Sequence, residues 1–522
     1  MVPAPPCSTA RRRGLVAALT ALLLVLGGCA GRSVPPDDEL VFAVGAWPTN
    51  LDPRFAPDAY SDRIARLIYA PLARRGTDGR VEPLLARSWE QPSPATMVVH
   101  LRAGARFHDG SPVRAEDVVA TYEAIRNPRT GSVKRVFLDA IDTIRAVDEE
   151  TVEFRLLDPH APFLQVLAGI GIAPAAALPD DPTDPLASWT GSGPWIFDGS
   201  EIGQEIRLRR NPDWTLDPST KTERMKFRVI PDATVRVLEL VHGSVDMTWN
   251  DLPPHVVEWL AARDDLRVER SESTLVKYLA FNTRHPALSD VRVRRAIASA
   301  IDLGPIIEHK LRGQATAAGS FMHRDSWAWL PDAAPVAHAP DAARKLLDEA
   351  GLFPGADGVR LRLNYRTSQD ETAVAVARIL RRQLARVGID MEVHSNEWGV
   401  FFSDIKQGNY DLYTLTGVGI SDPDWYTFVL HSKSHPPDGA NRMLYASADM
   451  DRLLDAGRTE LDPEARTLIY RDVQRLRRDD LPLLPLWYQH NVGVSGGNVQ
   501  GWSIPPSGDF DHLGRATKTG PR

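Results

Sequence analysis

The sequence predicts a multidomain α/β protein, and three observations carry that prediction. The chain has 522 residues, too many for one hydrophobic core and suited to two or three domains. Stretches of helical period, such as Val291–Ile301, Pro340–Ala350 and Thr372–Val387, alternate with short β-rich runs. Proline, at 41 residues, exceeds the usual share of about 5%, which favours loops and extended connections over a helical bundle.

At the N-terminus, Arg11, Arg12 and Arg13 precede an apolar run from Leu15 to Leu26. That run is too short to cross a bilayer as a helix, which takes about 20 residues. A basic flank, a short apolar stretch and small residues at its end predict an export signal over residues 1–28. Leu26-Gly27-Gly28-Cys29 resembles a bacterial lipobox, which implies cleavage before Cys29 and a lipid on that residue. The only other cysteine, Cys7, falls in the discarded part, so the mature chain is expected to hold no disulfide and no thiolate metal site. Residues 29–38 read as a tether with Pro35 and Pro36.

Beyond the tether a strand is expected from Leu40, then a turn, Thr49 to Pro53, and a helix beginning near Ile64. Met97 to Arg102 reads as a strand, Gly104 and His108-Asp109-Gly110 as turns. Ala115 to Arg126 reads as a helix that buries Val118, Val119, Tyr122 and Ile125 and stops at Asn127-Pro128. Tyr410 to Thr416 is a β-rich run. Gly417 and Gly419 after it would bare the backbone to an approaching chain. Asp422 and Asp424 then share a Pro-containing turn, where carboxylates are expected at the surface, and Trp425 follows. Bare backbone, acids and aromatics at a strand end suit a cleft for a small amine-bearing ligand. An ordinary buried strand with a polar turn fits the same residues.

Charge and motif content exclude several classes. The formal net charge of −7 becomes more negative once the leader arginines are lost, and no run of one sign occurs, which argues against nucleic acid. Gly493-Val494-Ser495-Gly496-Gly497 fits the spacing of a hydrolase elbow, but Gly496-Gly497-Asn498 is a poor helix start and only His512 follows. His431 and His435 stand four apart, yet Pro436 and Pro437 argue against a helix presenting both to a metal. No catalytic constellation, cofactor site or metal site is therefore expected.

The segment Arg87 to Pro128 resembles the hallmark of the dipeptide/oligopeptide family of extracellular solute-binding proteins, the receptors of ABC importers. Ser88-Trp89, Val99 to Arg102, Gly104, Phe107-His108-Asp109-Gly110, Pro112 and Ala115 to Val118 carry the likeness. Arg114 stands where the family has Thr or Ser, and the missing hydroxyl cap would cost about 0.5–2 kcal/mol. Gly191 to Pro194, Arg210-Asn211-Pro212, Leu279 to Asp302, Ala343 to Gly351, Gln383 to Ile389 and Tyr410 to Pro423 match further landmarks in order.

That resemblance implies an α/β fold of the periplasmic-binding-protein kind (type II-like), two lobes joined by two crossovers with an extra subdomain in lobe one. By order, lobe one would hold 39–59, 179–272 and 490–522, the inserted subdomain 60–178, and lobe two 273–489. It implies an exported receptor, lipid-anchored through Cys29 on the periplasmic or cell-surface side and acting as a monomer. Its partners would be a peptide ligand and the permease and ATPase subunits of an importer. Nickel chelates, glutathione, opines and oligosaccharides are the rival cargoes. The family's amine-anchoring aspartate maps to Gly419 here, with Asp422 or Asp424 as displaced substitutes. Arg366, beside Thr367, maps near the carboxylate anchor, and Trp398, Trp425, Gly417, Asn282 and Trp47 complete the expected ligand set.

Overall fold

A computed structural model describes residues 38–76, 78–216, 219–250, 252–418, 420–436 and 439–520; Cys29 and Gly419 lie outside them. Strand β1 (Glu39–Val44) is apolar from Leu40 onward and buried over that length. Helix α1 (Ala59–Ile68) starts where the Asp58 carboxylate caps Ser61 N–H at 2.9 Å. It begins five residues earlier than apolar periodicity suggested, because polar Tyr60, Ser61 and Asp62 hide its first turn. A short hairpin, β2 (Ala73–Arg75) and β3 (Val81–Pro83), leads into a separate unit.

That unit has its own core. Strands β4 (Ala86–Ser93) and β5 (Thr96–Leu101), helix α2 (Ala115–Arg126), and strands β6 (Ile141–Ala146) and β7 (Thr151–Leu156) form it. The sheet runs β4-β5-β7-β6, and Val118, Tyr122 and Ile125 of α2 pack with Val99, Val152 and Phe154. Arg114 brings no hydroxyl to the α2 N-terminus, but the Asp117 carboxylate accepts its N–H at 2.8 Å and supplies half of a capping box.

The chain returns through β8 (Trp195–Glu201), β9 (Glu205–Arg210), β10 (Arg224–Val229) and β11 (Met247–Trp249). With β1 parallel to β10 and β11, these give the order β11-β1-β10-β9-β8. Phe42, Phe227, Trp249 and Phe510 form an aromatic cluster in this lobe, with ring centroids 5.1–5.8 Å apart.

Lobe two begins within β12 (Leu266–Phe281). There follow α3 (Val291–Ala300), β13 (Ala315–Ala317), α4 (Pro340–Glu349), β14 (Leu361–Ser368) and α5 (Glu371–Ala385). Next come β15 (Ile389–Asn396), α6 (Trp398–Gln407), β16 (Leu412–Gly417), α7 (Trp425–Leu430), α8 (Ala448–Thr459) and α9 (Pro463–Asp480). The parallel strands β15, β14 and β16 lie beside β12. Helices α3, α4 and α5 cover one face through Ile297, Leu347 and Leu380, and α6 to α9 cover the other through Phe401, Tyr426, Leu454 and Tyr470.

Two long strands join the lobes. β12 and β17 (Leu483–Gly496) pair antiparallel along almost their whole length. Leu266 to Glu272 pair with Gly496 to His490 in lobe one, and Val276 to Ala280 with Tyr488 to Leu483 in lobe two. Between Glu272 and Val276 the register breaks. There Ser273 Oγ donates to the Gln489 carbonyl at 2.8 Å and accepts from Leu275 N–H at 3.1 Å. Both lobes thus hang on one ladder, interrupted at their junction and shifted again between Lys277 and Tyr278.

Candidate functional site: the cleft between the lobes

The parallel strands β14, β15 and β16 all end on one edge of lobe two, at Ser368, Asn396 and Gly417, and crevices at such strand ends receive ligands in open α/β sheets. Opposite them stands the hairpin and inserted unit of lobe one. Asp78 C=O accepts Trp327 N–H at 3.1 Å, and Ala161 N–H donates to Arg458 C=O at 2.8 Å. Gly79, at φ +79°, lies so close that a Cβ there would sit 2.9 Å from the Ser421 carbonyl oxygen. His160, beside that contact, has its imidazole pushed down to about 4 by burial and by Arg458 and Arg466 of lobe two. The two sides meet over the segment that follows β16.

That segment folds back on itself. A Cβ on Gly417 would meet Ile420 Cδ1 at 2.9 Å and Trp425 at 3.4 Å, so the bareness of Gly417 serves the chain's own turn. Trp425 stacks on Phe321 at 5.0 Å, while Val418 is 64% exposed. Asp422 is not a surface-turn carboxylate. It is 9% exposed and forms a two-point ion pair with Arg466, at 2.7 and 3.1 Å. The guanidinium lies over the Trp327 and Tyr470 rings at 5.0 and 5.2 Å. Asp424 accepts from Thr427 Oγ1 at 2.8 Å and lies 3.3 Å from Arg458. Burial raises its carboxyl more than Arg458 lowers it. Both acids therefore already hold cations of the protein.

The sequence profile of the Bacterial extracellular solute-binding proteins, family 5 Middle, matches residues 80–438, most of the chain. The chain belongs to this family. A putative ABC transporter peptide-binding protein of Brucella ovis is 29% identical over 442 residues, covering 81% of this chain and 82% of its own. Among solved structures, NikA of Brucella suis in complex with Fe(III)-EDTA superposes with a TM-score of 0.83 at 23% identity, over 93% of this chain and 100% of NikA. The oligopeptide-binding protein AppA of Bacillus subtilis in complex with a nonapeptide gives 0.74 at 21% identity, over 92% and 99%. These likenesses establish the two-lobed fold.

Within this family 5 protein the other expected ligand residues scatter. Trp398 opens α6 at the strand-end edge, 54% exposed and stacked on Phe402 at 5.6 Å. Trp47 follows β1 and packs, partly buried, against the lobe-one core. Arg366 is turned under α6, where Nε donates to the Asn409 carbonyl at 3.1 Å and lies 3.7 Å from Asp404. Asn282 sits six residues along β12 from the partner of Gly417, about 20 Å from that edge. There its amide donates to Tyr410 C=O at 2.9 Å and holds the loop before β16. Neither Arg366 nor Asn282 joins the constellation at the strand ends.

The hallmark turn is a clamp. His108 Nδ1 accepts Gly191 N–H at 3.2 Å and its Nε2 bonds the Gly193 carbonyl at 3.0 Å, an arrangement of neutral imidazole. Burial lowers its pKa to match. Gly191 and Gly193 lie against the backbone carbonyls of Ile68 and Leu67, which leaves no room for a Cβ. Ser495 lies buried inside β17 and accepts the Trp502 indole N–H at 3.1 Å, far from the exposed elbow that a nucleophile needs. Among the described residues no group of three His, Cys, Asp or Glu could hold a metal, and no helix is long and apolar enough to cross a membrane. Nothing in local patterning singled out Asp78, Gly79 or His160, whose importance comes from docking on lobe two.

Proposed function

We propose that this family 5 protein is the substrate-binding lipoprotein of an ABC importer, catching small peptides outside the cytoplasm and passing them to a permease. The observation that carries this reading is the pairing of a broken two-strand hinge with backbone hydrogen bonds between the inserted unit and lobe two. Such a molecule swings shut on a solute and then offers a closed face to a membrane partner. Peptide cargo is supported by the relative of Brucella ovis named as peptide-binding. Lipid attachment at Cys29 is supported by the small residues Gly27 and Gly28 ahead of it.

A second reading keeps the receptor and changes the cargo. With Asp422 and Asp424 already paired to arginines, the usual amine anchor is missing, which suits a metal chelate, glutathione, an opine or an oligosaccharide. A sensor without transport would use the same cleft. Mass spectrometry of the solute that leaves with the denatured protein separates these cargoes. Peptide masses support the first reading, and a chelate, opine or sugar mass replaces it with the second. Fatty-acid probe labelling of wild type but not of Cys29→Ala tests the anchor; equal labelling refutes it.

A further inference from the structure

Several arginines near the cleft are ion-paired. Arg54 pairs with Asp52 at 2.7 Å, Arg66 with Asp62 at 2.5 Å, and Arg466 with Asp422 at 2.7 Å. Arg75, half-buried at the end of β2, has no such pair among the described residues. Its Nε donates to Gln165 Oε1 at 2.9 Å and Nη2 reaches the Gln165 carbonyl at 3.4 Å. Gln165 in turn donates to Gly79 C=O at 3.0 Å, which fixes the guanidinium beside the contact with Ser421 of lobe two. The remaining edge, Nη1, has no protein acceptor and no carboxylate pairs with it among the described residues.

The acids within electrostatic reach come from both lobes: Asp62 and Asp509 from one, Asp422 from the other. All three are engaged elsewhere. Asp62 holds Arg66 and Lys134, Asp509 lies 3.5 Å from Arg66 and 3.9 Å from Arg63, and Asp422 holds Arg466. Burial and the repulsion of Arg66 push the Arg75 pKa down to about 10.

We propose that Arg75 is the carboxylate anchor of the ligand, its free guanidinium edge receiving the anion as the hairpin docks on lobe two. The inference rests on the receptor reading above and narrows the cargo to a solute with a carboxylate, such as a peptide C-terminus. A planar fork held at one edge presents parallel N–H donors at the other, the geometry a carboxylate matches. The anchor sits on the hairpin that touches lobe two, so binding the anion there also favours closure.

The test is calorimetry of wild type, Arg75→Gln and Arg75→Lys with trialanine, trialanine amide and succinate. The expected result is that Arg75→Gln weakens a carboxylate probe on the order of 100-fold. Trialanine amide should change by less than about threefold, and Arg75→Lys should recover part of the loss because charge returns without the fork. Unchanged melting of both variants separates anchoring from support of the hairpin. If succinate binds through Arg75 and trialanine does not bind, the anchor stands and the peptide reading falls. Equal carboxylate affinity in wild type and Arg75→Gln overturns the proposal, as does a wild type that binds neither carboxylate probe.

Discussion

Replacing Asp422 by Asn should unfold lobe two early. The substitution keeps shape and one acceptor oxygen, which still serves Asp424 N–H at 2.9 Å, so the loss is the charge facing Arg466. Both side chains are about 10% exposed, and the guanidinium is bound on all sides by Gly457 C=O at 3.0 Å, Trp327 and Tyr470. Breaking a buried pair this way costs about 3–5 kcal/mol, and the two rings return part of it, so about 3 kcal/mol is expected. For a unit of lobe-two size that lowers the melting temperature by about 6–12 °C. Differential scanning calorimetry of the ligand-free protein reads it directly. Asp422→Asn with Arg466→Met removes the orphaned charge and should recover most of the loss. A single variant that melts within about 2 °C of wild type yet loses affinity for free-amine peptides would refute the reasoning. Asp422 would then be spending its charge on cargo.

Two further perturbations address closure. Gly79→Ala places a methyl 2.9 Å from the Ser421 carbonyl oxygen, a clash made only when the hairpin docks, so ligand affinity measured by calorimetry should fall about tenfold or more. Unchanged affinity would show that the hairpin does not dock on lobe two when ligand is held. For His160, the closed arrangement lowers the imidazole from its usual 6.5 to about 4, so its contribution to docking is complete above pH 6.5 and is lost as pH falls through 4. Small-angle scattering of the liganded protein should show opening between those values, beginning at lower pH in His160→Gln, and an identical profile for both would rule His160 out.

Much of the fold was readable because its signals are local. Helix α2 has the bounds its apolar spacing and Asn127-Pro128 stop imply, and the run ending at Gly417 is a buried strand. Charge pairing was not readable. Asp422 and Arg466 are 44 residues apart, and no pattern in either neighbourhood announces the other. Arg366 and Asn282 illustrate the same limit. A polar residue beside a family landmark can serve the loop that builds the landmark, and only packing tells which. Arg75 went unnoticed because its distinction is a partner it lacks.

The broken ladder between β12 and β17 makes the molecule a lever. Rotation taken up by the few residues from Ser273 to Leu275 would move the hairpin against lobe two, where Asp78 and Gly79 touch Trp327 and Ser421. Substitutions at those positions could therefore retune how tightly cargo is held while every group that meets cargo stays unchanged. Selection has a handle on affinity that is separate from its handle on specificity, and the two can drift independently as a receptor of this fold takes up new solutes.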